Sequence, residues 1–77
     1  MEDLEVVVLT RDINECGLKR GDVGTIVHSY DREKAYEVEF VTAQGTTVSV
    51  MTLKPSEIRP IENREILHVR EIGTAAA

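Results

Sequence analysis

The stretch Leu18-Lys19-Arg20-Gly21-Asp22-Val23-Gly24-Thr25-Ile26-Val27 constrains this chain more than any other feature. Gly21 supplies a φ > 0 position that most residues resist, and Asp22 can tie the turn back to its own backbone. A β-branched run follows at once, and Gly24 inside it predicts a bulge or sharp bend. A strand that leaves a tight turn and bends immediately is how a small sheet curls onto itself. Fold is therefore better written in this chain than function.

The rest of the chain repeats the theme of short strands and polar turns. Leu4 to Leu9 reads as a first strand with both faces apolar, which places it centrally or under cover. Ile13 and Leu18 are expected to anchor the polar loop Thr10 to Gly17. Asp22 to Tyr30 is the second strand, and Asp31-Arg32-Glu33-Lys34 is a charged hairpin connection. In Ala35 to Val41, Tyr36, Val38 and Phe40 alternate with Glu37 and Glu39, so one face is buried and the other meets solvent. Gly45 suits a left-handed position in the loop Ala43-Gln44-Gly45. Thr46 to Leu53 is the fourth strand, and its change of phase predicts a bulge near Met51. Pro55 and Ser56 stop it in a single 3₁₀ turn, and Ile58-Arg59-Pro60-Ile61 is a short edge strand. The predicted fold class is all-β: a small five-stranded antiparallel barrel over residues 1–61, with a C-terminal extension over 62–77.

That extension has two readings. Ile66, Leu67, Val69 and Ile72 fit a helical stripe with Asn63 as N-cap. Their branched side chains and the closing Gly73 favour a strand, with Gly73 to Ala77 frayed. In either form these apolar residues lie beyond a completed barrel. They must cover an open face or edge, or cross to a second copy.

Charge narrows the partners. Fourteen acidic residues against nine basic ones give a net charge of -5 in 77 residues. Polyanions and anionic membrane surfaces are repelled on average. The single cysteine, Cys16, allows no internal disulfide, and there is no leader-like or membrane-spanning apolar run. A cytoplasmic protein is expected.

Catalytic constellations are thin. Cys16 with His28 or His68 forms no spaced motif, and the histidines lie in no metal-ligand pattern. Glu37 and Glu39 read as solvated sheet carboxylates. Gly21 and Gly24 are turn glycines, since no Lys-Ser/Thr follows them. Neither a catalytic residue, a metal, a cofactor nor a small-molecule substrate is expected.

Leu18 to Val27 resembles the turn and strand that open many SH3-like barrels, and Leu53-Lys54-Pro55-Ser56-Glu57-Ile58 resembles the 3₁₀ turn joining their last two strands. More narrowly, Val6-Val7-Val8-Leu9-Thr10-Arg11-Asp12, Gly21-Asp22-Val23-Gly24-Thr25-Ile26-Val27, Tyr36-Glu37-Val38-Glu39-Phe40 and Thr52-Leu53-Lys54-Pro55 are similar to a bacterial family, domain of unknown function 4926. The resemblance spans roughly residues 4 to 61 and implies fold and bacterial origin, with no activity or site residues attached. By analogy with small stand-alone barrels it suggests a companion to another protein, as in toxin-antitoxin or immunity pairs. Proline-rich peptide recognition is not expected, because Trp is absent and Tyr36 and Phe40 belong to the core.

The expected function is that of a non-catalytic protein-interaction module that binds a protein partner or itself. Its candidate partner-binding residues are Ile66, Leu67, Val69, Arg70, Ile72, Glu37 and Glu39. The alternative is a nucleic-acid-associated SH3-like barrel using Arg11, Lys19 and Arg20.

Overall fold

The computed structural model describes residues 1–72. The expected fraying of Gly73 to Ala77 lies outside the described residues. Five antiparallel strands form one sheet: β1 Val6–Leu9, β2 Val23–Tyr30, β3 Ala35–Val41, β4 Thr47–Leu53 and β5 Ile58–Pro60. Their spatial order is β4-β3-β2-β1-β5. The first strand is thus internal, as its two apolar faces require. Both β4 and β5 are edges, so the curled sheet is not closed by hydrogen bonds.

The core lies on one side of this sheet. Val7 and Leu9 of β1, Ile26 of β2, Tyr36, Val38 and Phe40 of β3, Leu53 and Ile58 are all buried. Each such side chain contributes roughly 1.5–3 kcal/mol on leaving water. Ile13 and Leu18 close one end of the core as the loop anchors expected of them, bridged to each other across Gly17. Gly17, Gly21 and Gly45 take positive φ, which lets these turns reverse tightly.

Several local expectations need correction. Gly24 marks no bulge: it pairs in register with Val7. A Cβ there would fall 2.7 Å from Val38 Cγ1 and 2.8 Å from Phe40 Cε1, so the glycine makes room for core side chains. The extra residue of β2 is Val27, between the Ile26–Val38 and His28–Glu37 pairs. Met51 likewise sits in register with Val38, and the irregularity of β4 falls at Val48. β1 begins at Val6 because Leu4, at φ 69°, cannot continue a strand. The 3₁₀ turn Pro55–Glu57 is present, joined by two others at Asn14–Cys16 and Asp31–Glu33.

The extension is neither strand nor helix. Among the described residues, 62–72 carry one turn and otherwise irregular chain. Side-chain ion pairs hold it.

Candidate functional site

After β5 the chain reverses at Glu62 and Glu65. The Glu65 N–H donates to the Glu62 carbonyl at 3.1 Å, and the Glu62 N–H donates to Glu65 Oε1 at 2.7 Å. Arg59, on the outer side of β5, then grips the Glu65 carboxylate with its two terminal guanidinium nitrogens, at 2.8 and 2.6 Å. That fork and the Glu62 N–H bring the Glu65 carboxyl down to about 2.

From this reversal the chain runs as a strap across the outer side of the sheet. Val8, Val23, Ile61 and Leu67 surround one small hollow beneath it. Val8 points away from the core yet is only 6% exposed, which fits a side chain sheltered by the strap. The far end is fixed by a second fork. Arg70 Nε donates to Asp22 Oδ1 at 2.8 Å and Nη2 donates to Asp22 Oδ2 and to the Gly17 carbonyl. Burial pushes the Asp22 carboxyl up, but hydrogen bonds from Arg70 and the Lys19 N–H outweigh it and hold the group below its ordinary range. Ile72 finally packs against the core, with Gly17 leaving ordinary contact space for its Cγ1. Planar bidentate pairs suit this role because they fix orientation as well as position.

Between the strap and the β3–β4 hairpin lies an open groove of ≈ 860 Å³. Leu18, Val23, Val41 and Val48 are among the apolar side chains that line it, and Arg70 and Asp22 border it.

The candidate residues therefore divide. Ile66, Leu67 and Val69 are 92%, 67% and 90% exposed. Arg70 and Ile72 turn inward and hold the strap to its own barrel. Glu37 and Glu39 lie on the outer face of β3, away from the strap, where each accepts a threonine hydroxyl: Thr52 at 2.7 Å and Thr47 at 2.8 Å. Of the basic cluster, Arg11 is engaged by Glu57 at 2.7 Å. Cys16 has Ser49 as its polar neighbour, Sγ to Oγ 3.7 Å. Among the described residues no three of His, Cys, Asp and Glu gather in a metal-holding group. No described helix is long and apolar enough to cross a membrane.

Sequence reading missed the anchors Arg59, Glu65, Asp22 and Gly17. Arg59 lies in β5 with Glu65 six residues on in irregular chain, and Arg70 and Asp22 are 48 apart, so no periodicity links them.

A family model described as "Domain of unknown function (DUF4926)" matches residues 3–60. No curated protein and no solved structure matches the chain.

Proposed function

The chain belongs to the DUF4926 family, and from that footing we propose that it works by binding another protein rather than by catalysis. One observation carries this reading: three neighbouring apolar side chains are exposed, Ile66 and Val69 almost fully and Leu67 by two thirds, on a strap that two Arg–carboxylate forks hold against the barrel. Isolated exposed apolar residues are ordinary, but a cluster on one pinned segment is a feature of interaction sites. Leu67 and Val69 would enter the partner's surface, while Arg70 and Ile72 keep the strap in place. The net charge of -5 favours a basic partner, with Glu37 and Glu39 adding to the field on the outer face.

The strand order, together with the 3₁₀ turn before β5, supports placing the domain in the SH3-like group. We read it as a cytoplasmic bacterial companion protein of the toxin-antitoxin or immunity kind.

The test is capture from a lysate of the source cells by the full chain, compared with Leu67→Asp/Val69→Asp. Both positions are exposed, so the variant should keep its strand spectrum and lose the captured protein. Equal capture by the two would remove the strap from the mechanism. Nucleic-acid binding, the alternative reading, predicts salt-dependent retention on a DNA or RNA column.

A further inference from the structure

We infer that the free edge of β4 pairs with the β4 of a second copy, antiparallel and about a two-fold axis at Val50. This goes beyond the strap reading and stands without it. Among the described residues β4 is hydrogen-bonded on one side only, to β3. Its seven residues Thr-Val-Ser-Val-Met-Thr-Leu hold six β-branched or apolar side chains and not one charge, proline or glycine. Sheet edges are normally blunted by lysine, proline, shortness or cover. The opposite edge follows that rule, since β5 has three residues and Pro60 removes a donor. β4 follows none of it.

Charge selects the occupant. In a chain of net charge -5 a second copy is repelled on average, and along the uncharged strip of β4 no like charges are brought into direct contact. An antiparallel edge is also its own complement, because the same row of N–H and C=O groups meets itself after a half-turn. Pairing centred on Val50 sets Val50 against Val50 and Ser49 against Met51, and brings Thr52 alongside Val48, where the irregularity of β4 ends the regular ladder. The Val50 pair falls on the outer face and the Ser49–Met51 pairs on the core face, and a β-branched pair such as Val50–Val50 stabilises neighbouring strands. The nearest like charges on the same face are the two Glu39 side chains, since Glu39 sits opposite Val50 within each copy. They would stand three strand spacings apart, about 14 Å, beyond a Debye length of about 8 Å. The product is a continuous ten-stranded sheet.

A contact this small belongs with transient interfaces, so it is read by sedimentation at rising concentration. The wild type should pass from monomer to dimer, and Val50→Lys, which sets two ammonium groups face to face, should weaken the dimer about tenfold or more. Geometry gives a sharper readout. Opposed antiparallel residues lie about 4.5–5.5 Å apart at Cα, within disulfide range. In a Cys16→Ser background, Val50→Cys should oxidise to a covalent dimer much faster than Thr52→Cys, which faces position 48. Circular dichroism checks that each variant keeps its strands. A wild type that stays monomeric at every concentration, or equal cross-linking at the two positions, overturns the inference. So does a dimer that survives Val50→Lys and disappears in Leu67→Asp/Val69→Asp; that result would assign self-association to the strap and leave the protein-binding reading intact.

Discussion

Gly24 trades a side chain for a close approach. Because Val38 and Phe40 are themselves buried, they have little freedom to retreat from an added Cβ. Gly24→Ala should therefore overpack the core and lower stability by about 1–3 kcal/mol, measured by urea denaturation. Stability equal to the wild type would mean that β2 shifts outward instead. Glu65 gives a second prediction at this scale. Its folded carboxyl lies at about 2, below its ordinary 4.5. A depressed value contributes stability above pH 4.5 and loses it as the pH falls through that window towards 2. Both partners of the fork are substantially exposed, so the effect is local and salt-sensitive. Backbone NMR shifts of Ile66 to Ile72 should move away from their neutral-pH values across this range. Glu65→Gln should show the displaced pattern already at neutral pH.

The connections between elements hold the strain. The hairpin after β2 places Asp31, Arg32 and Glu33 at φ 35°, 58° and 64°, three consecutive left-handed residues without a glycine. Each such position costs a non-glycine residue roughly 1–2 kcal/mol, whereas glycine's extra unfolded-state freedom costs about 0.5–1. Arg32→Gly should accordingly stabilise the fold by a net of about 0.5–1 kcal/mol and raise the thermal midpoint. A lowered midpoint would show that the Arg32 side chain does more than fill the turn. Elements of this kind also show what sequence could and could not convey. Tyr36, Val38 and Phe40 announced β3 because a two-residue period is a local signal, and β3 spans Ala35–Val41 as read. The strap announced only its hydrophobicity. Its path depends on Arg59 and Arg70 meeting carboxylates whose positions the whole fold decides, so no local pattern could separate strand, helix and irregular chain. The bulges failed for a related reason. Gly24 permits a bend, but which strand takes the extra residue depends on the partner's register.

At the scale of the molecule, the two proposed surfaces lie on different parts of the sheet. The strap crosses the outer side of β1 and β2, whereas β4 is the far edge. A dimer through β4 would leave Ile66, Leu67 and Val69 open on each copy, so one assembly could display two partner sites. The Asp22–Arg70 fork links positions 48 residues apart, and that distance orders events in time. Arg70 has no target until the glycine turn has presented Asp22, and the reversal at Glu65 has no anchor until β5 carries Arg59 into the sheet. Closing so long a loop follows the local pairings, and a segment with few buried contacts opens with little free energy. The strap is thus expected to arrive last during folding and to lift away first from the finished domain, detaching without asking the five strands to come apart.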